Sequence, residues 1–83
     1  MPLFMDVHHI AGGVSFDDVT EAHKADLKAQ GHHDVHYLRY WVDEAAGTIF
    51  CLVDAPDAEA ANAVHRTAHG LVADEIHPVQ EGA

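Results

Sequence analysis

The apolar patterning of this chain predicts an α+β fold: a ferredoxin-like β-α-β-β-α-β order, with a four-stranded antiparallel sheet and two helices on one of its faces. Three observations predict it. Segments of strand and helix periodicity follow one another in that order, each closed by Gly, Pro or a capping residue. Thr48 to Asp54 is almost continuously apolar, as a central strand is. The 83 residues carry no linker, repeat or low-complexity run, so residues 1–83 form a single domain.

Leu3 to His9 alternates, with Leu3, Met5 and Val7 on one side and Phe4, Asp6 and His8 on the other. Residues two apart share a strand face, so this is the first strand. Gly12-Gly13 ends it. Ser15-Phe16-Asp17-Asp18 reads as a capping-box variant with Ser15 as N-cap. The helix runs to about Gln30, with Gly31 as the expected stop. Its core stripe is expected at Phe16, Val19, His23 and Leu27, with Gln30 at the end of the same face. Val35 to Asp43 is rich in β-branched and aromatic residues and is the second strand. Glu44-Ala45-Ala46-Gly47 is a turn, and Gly47 is free to take positive φ. Thr48 to Asp54 follows as the third strand. Asp57 caps a second helix, Ala58 to His69, which Gly70 stops. Asp74 to Val79 is the last strand, and Pro78 suits it to an edge or a strand end.

One sheet face is left without helices. A domain this small buries a limited share of its surface, and the pair Tyr40-Trp41 is costly to expose. A homodimer is therefore expected.

Composition narrows the function. The formal charge is −10, with no basic patch to meet phosphates, which argues against nucleic acid and against anionic membrane surfaces. No apolar run approaches the roughly 18–20 residues that span a bilayer. No secretory leader is apparent, so a cytoplasmic location is expected. Cys51 is the only cysteine, which excludes a disulfide within the chain. It reads either as a small buried hydrophobe or as a soft metal ligand.

The chain holds nine histidines and fourteen acidic residues against four lysines and arginines. Neutral imidazole and carboxylate are ligands of divalent transition metals. His65-x-x-x-His69 puts two imidazoles about 6 Å apart on one helix face, where they can chelate one ion. The bland alternative is two unrelated surface histidines. His23 occupies an apolar-stripe position, where a histidine is more often a hydrogen-bonded core residue. Asp26, three residues on, is placed to orient a ring nitrogen. Asp6-x-His8 sets an acid and an imidazole on one strand face. If that face meets the helices, Asp6, His8, His23, His65 and His69 form one cluster; if it is the open face, there are two sites. His32, His33 and His36 read as a solvated loop with weak affinity for Ni²⁺ or Cu²⁺. His9 and His77 have the same status, and Glu75 is a further carboxylate candidate. No nucleophilic triad, phosphate-binding glycine loop or Cys-x-x-Cys motif occurs.

Five stretches carry a resemblance: Met5-Asp6-Val7-His8, Ala22-His23-Lys24-Ala25-Asp26-Leu27, Tyr37-Leu38-Arg39-Tyr40-Trp41-Val42-Asp43, Phe50-Cys51-Leu52-Val53-Asp54-Ala55-Pro56 and Val64-His65-Arg66-Thr67-Ala68-His69-Gly70. In order and spacing they resemble a family of small bacterial nickel-binding, ferredoxin-like proteins first catalogued as a domain of unknown function. The resemblance implies a dimeric ferredoxin-like fold and nickel binding for sequestration or handling. Its motif positions fall on Asp6, His8, His23, Asp26, His65 and His69. His32-His33 and His77-Pro78 are richer in histidine than the family pattern.

The expected function is thus Ni²⁺ binding by His and Asp ligands without a catalytic step, with Cu²⁺ or Zn²⁺ as competitors in vitro. The rival reading is a cofactor-free isomerase, cyclase or small monooxygenase. It would use His23, Asp26, His65 and His69 as acid–base groups in a pocket between sheet and helices.

Overall fold

Strand β1 (Leu3–His9) sits inside the sheet, and its alternation decides which side chains meet the helices. The computed structural model describes residues 2–82. After β1 come α1 (Phe16–Ala29), a 3₁₀ turn (Gln30–His32), β2 (His36–Asp43), β3 (Thr48–Asp54), α2 (Ala58–Ala68) and β4 (Glu75–Val79). The sheet order is β2-β3-β1-β4, and each neighbouring pair is antiparallel. This is the α+β class and element order that the sequence predicts.

In the register, Phe4 lies beside Val53, Asp6 beside Cys51 and His8 beside Ile49. These six side chains line one face. Strand β2 joins them through an irregularity. Its pairing shifts between Tyr37 and Arg39, so Tyr37 lies beside Val53 while Tyr40 lies beside Cys51 and Val42 beside Ile49. One extra residue reverses the alternation, and Tyr37 and Tyr40 therefore face the same side. Both helices pack there. The Tyr40 hydroxyl shares a 2.8 Å hydrogen bond with Thr20 of α1, and the Tyr37 hydroxyl lies 3.2 Å from the Ala61 carbonyl of α2. The apolar core is small: Val19, Val35, Tyr37, Ile49, Cys51, Val53, Ala55, Ala61 and Val64. The opposite face carries Met5, Val7, Phe50, Leu52 and Trp41, with Trp41 47% exposed.

Local chemistry sets the helix starts. The Ser15 hydroxyl accepts from the Asp18 amide at 3.1 Å, and the Asp57 carboxylate accepts from the Ala60 amide at 2.8 Å. Four expectations are corrected. The buried side of α1 runs through Val19 and Asp26, whereas Phe16 and Leu27 are exposed. Contact with α2, not the most apolar stripe, orients the helix. Gly31 does not stop α1: the chain continues into the 3₁₀ turn, and Asp34 takes the left-handed conformation at φ 56°. Helix α2 ends at Ala68, with His69 as its C-cap. Strands β2 and β4 each begin one residue later than expected. Among the described residues no helix is long and apolar enough to cross a membrane.

Gly47 closes the β2–β3 turn at φ 69°, and its carbonyl accepts from the Ile10 amide at 2.7 Å. A Cβ there would collide with the Ile10 carbonyl oxygen. Gly47→Ala should therefore cost at least about 1–3 kcal/mol. Urea denaturation checks this, and Gly12→Ala, which meets nothing within 4 Å, is the control for the φ contribution alone.

Candidate metal centre

Three elements place Asp6, His65 and Asp26 in the interior. Alternation in β1 turns Asp6 toward the helices. The last turns of α2 carry His65 beside the core residues Ala61 and Val64. The face of α1 that meets α2 carries Asp26. Their exposures are 0%, 1% and 2%, so all three are out of water.

His65 is bonded on both ring nitrogens. Nδ1 donates to Asp26 Oδ1 at 2.9 Å. Nε2 lies 2.9 Å from Asp6 Oδ2, 2.8 Å from the Tyr37 hydroxyl and 3.3 Å from His8 Nε2. The Tyr37 hydroxyl donates to Asp6 Oδ2 at 2.8 Å. His8 Nε2 lies 3.1 Å from the other Asp6 oxygen. On the far side, the Leu71 amide donates to His69 Nδ1 at 3.1 Å. His69 Nε2 therefore carries the proton that it gives to Asp26 Oδ1 at 3.0 Å.

Charge follows from these partners. Burial pulls the His65 pKa down, but hydrogen bonds to Asp26 and Asp6 and their negative charges outweigh it, lifting it to about 9. Burial pushes Asp6 up, yet hydrogen bonds from His65, His8 and Tyr37 hold it well below the usual carboxylate range. Asp26 is lowered in the same way, with burial opposed by His65 and His69. The metal-free centre is thus an imidazolium clamped between two carboxylates. Burial and the adjacent Asp6 raise the Cys51 thiol far above its ordinary pKa, and do the same for the Tyr37 hydroxyl.

Two groups bring ligand atoms within 4.8 Å of one another: Asp6, His8, Cys51 and His65, and Asp26, His65 and His69. His65 belongs to both, presenting Nε2 to the first and Nδ1 to the second. A pocket of about 30 Å³ adjoins them, lined among others by His8, His23, Asp26, Cys51, His65 and His69. It has room for about one water. His23 Nδ1 is buried and has no hydrogen-bond partner, and burial lowers its pKa.

Five of the six sequence candidates thus line one pocket on the helix side of the sheet, and the sixth, Asp6, is hydrogen-bonded to two of them, His8 and His65. His65 and His69 are 5.1 Å apart between ring centroids, and both rings are bonded to Asp26. His32 in the 3₁₀ turn, His33 after it and His36 at the start of β2 take no part in either group, and the sequence expectation of one loop for all three is corrected for His36. Glu75 lies on the other face, exposed and bonded to His9 and His77, which hold its carboxyl below the ordinary value. Sequence reasoning missed Tyr37 as a member of the network. Its alternation in β2 hides it, because the bulge that turns it inward has no sequence mark.

The family described as SCO4226-like nickel responsive proteins matches residues 4–79. The crystal structure of SCO4226 from Streptomyces coelicolor A3(2) is similar at 46% identity and a TM-score of 0.89, covering 98% of this chain and 99% of that one. No curated protein matches the chain.

The clamp makes stability depend on pH in a stated direction. His65 has a pKa of about 9 in the native state against an ordinary 6.5. Its contribution is complete below pH 6.5 and is lost as pH rises through about 9. The lowered carboxyls of Asp6 and Asp26 contribute above their ordinary 3.8 and lose that contribution as pH falls below it. Metal-free protein should be most stable between these limits and lose on the order of 2–3 kcal/mol between pH 6 and pH 9.5. Urea midpoints across that range, in the presence of a chelator, check it.

Proposed function

The chain belongs to the family of SCO4226-like nickel responsive proteins, and from this membership and the buried cluster we propose that it binds a divalent transition metal, Ni²⁺ in the cell, through Asp6, His8 and His65. One observation carries the reading. The two imidazole nitrogens and the carboxylate stand 2.9, 3.1 and 3.3 Å apart. Ligands at about 2.1 Å from one ion in octahedral positions lie about 3.0 Å from each other. The proton now shared by His65 Nε2 and Asp6 holds the place of the cation.

Asp26 orients the site. It accepts the Nδ1 proton of His65 and so leaves Nε2 as the metal-facing nitrogen. His69 braces Asp26 from the other side. His23 offers an unpartnered nitrogen at the pocket, where it serves as a further ligand or receives the incoming ion. Cys51 lies within the group and is a fourth donor once an ion displaces its proton. Imidazole, carboxylate and one thiol suit Ni²⁺, Cu²⁺ and Zn²⁺ better than Mg²⁺ or Ca²⁺.

The role is sequestration or handling of the ion, with no turnover. A pocket of about 30 Å³ favours this over the enzymatic reading, since organic substrates occupy sites of roughly 300–1,000 Å³. We place the protein in the cytoplasm, where a lone thiol stays reduced. The wider fold assignment is ferredoxin-like, supported by the β2-β3-β1-β4 order. The assembly is a homodimer that covers the apolar face with Trp41 and Phe50.

His8→Ala tests the site without breaking the His65 ion pairs. Calorimetric titration of untagged protein with Ni²⁺ should lose the tight phase in His8→Ala, and Asp26→Asn should weaken it about 10–100-fold. The His32→Ala/His33→Ala protein should keep it. Tight binding that survives in His8→Ala contradicts the assignment. In sedimentation at micromolar concentration the chain should run at twice its 9.0 kDa mass, and a clean monomer refutes the dimer.

A further inference from the structure

The pocket beside the buried cluster has a closed floor and a partly open rim. His8, Asp26, Cys51 and His65 at its floor are buried. His23, Tyr40 and His69 at its rim are partly exposed, and Leu71 is 50% exposed. Tyr37 and Ala61, which join the network through the Tyr37 hydroxyl, are buried. The rim is therefore the side on which solvent comes nearest to the cluster. Its two imidazoles differ. His69 is engaged on both nitrogens, by the Leu71 amide at 3.1 Å and by Asp26 at 3.0 Å. His23 stacks on Tyr40 at 4.7 Å between ring centroids, and Tyr40 is itself held by Thr20. His23 Nδ1 is buried without a hydrogen-bond partner, a costly state for a polar atom. Leu71 lies on the short segment between α2 and β4. Gly70 turns that segment at φ 83°, and its amide donates to the His65 carbonyl at 2.8 Å. Further on, the Ala73 amide donates to Asn62 Oδ1 at 3.1 Å. Between these two ties the bond to His69 Nδ1 keeps Leu71 against the pocket.

We propose that the ion enters through this pocket, past Leu71 acting as a lid, and that His23 takes it at the rim and passes it inward to His8 and His65. The route rests on Asp6, His8 and His65 being the final ligands. Size makes a transfer ligand necessary. The pocket of about 30 Å³ has room for about one water, whereas an octahedral hydrated ion carries about six. The ion must therefore shed most of its shell at the rim. An imidazole nitrogen with no other partner replaces one lost water there and offsets part of the cost of dehydration. Leu71 must swing out for the hydrated ion to reach His23, and its return shuts water out. The direction of transfer follows from the donors. His23 offers one nitrogen, while the floor offers two imidazoles and a carboxylate, so the ion is held more tightly inside.

Stopped-flow mixing of the untagged chain with NiCl₂ tests the route. His23→Phe keeps a ring on Tyr40 and removes the nitrogen. It should slow association and dissociation by the same factor, at least about fivefold. Leu71→Ala should speed both, and Val72→Ala, exposed at 43% and outside the pocket lining, should change neither. A metal-free measurement reads the same opening. Methyl methanethiosulfonate should modify Cys51, on the pocket floor, at least about fivefold faster in Leu71→Ala than in wild type, relative to amide exchange at the core residue Val53, which tracks global opening. The route is overturned if His23→Phe leaves the rates unchanged or speeds dissociation alone, or if either Leu71→Ala rate fails to rise. Tight Ni²⁺ binding that survives in His8→Ala overturns the buried site itself, and the route with it, whatever the rates.

Discussion

An imidazole held between two carboxylates inside the protein is the constraint on which the rest depends. Asp6, Asp26 and His65 are almost completely shielded from water. A buried charge stripped of its partner costs about 3–5 kcal/mol. The surrounding apolar core, mostly valine and alanine, is too small to absorb many such losses. The pairing must therefore be satisfied in full, and it fixes the molecule. Asp6 belongs to β1, Asp26 to α1, His65 to α2 and Tyr37 to β2, so four elements must reach their final places before the network closes. That requirement turns α1 so that Asp26 faces in and Leu27 faces out, against the helix's own apolar preference.

Under the proposed function the same network takes up a cation. Without an ion, a proton on His65 offsets the repulsion between the Asp6 and Asp26 carboxylates. An ion at His65 Nε2 would replace that proton while Asp26 kept its hold on Nδ1. Metal affinity then falls in acid, since ligands must shed protons to bind. The stabilising clamp and the proposed metal site share Asp6 and His65, which ties the buried polar cluster to both in a domain with little apolar surface to spare.

Much of this was legible in the chain. Strict alternation from Leu3 to His9 shows that Asp6 and His8 share a face, and the caps Ser15 and Asp57 mark both helix starts. The spacing of His65 and His69 pointed to the right helix end. Which face Asp6 and His8 occupied was not legible, because both sides of that strand are partly apolar. The bulge after Tyr37 was not legible either: it depends on pairing with β3, a contact distant in sequence. For the same reason the spacing of the two histidines of α2 did not show that Asp26 of the neighbouring helix is bonded to both of them. Adjacent residues in β1 part to opposite faces, so His8-His9, a simple dipeptide in the sequence, contributes to two separate clusters.

The central claim is that the ion sits between β1 and α2, inside the fold. Anomalous diffraction at the nickel edge, from crystals of untagged protein grown with one equivalent of Ni²⁺, tests it most directly. The account predicts a principal peak about 2.1 Å from His8 Nε2, His65 Nε2 and an Asp6 oxygen, with Asp26 still bonded to His65 Nδ1. A principal peak elsewhere, with the His65–Asp6 hydrogen bond intact, would contradict it.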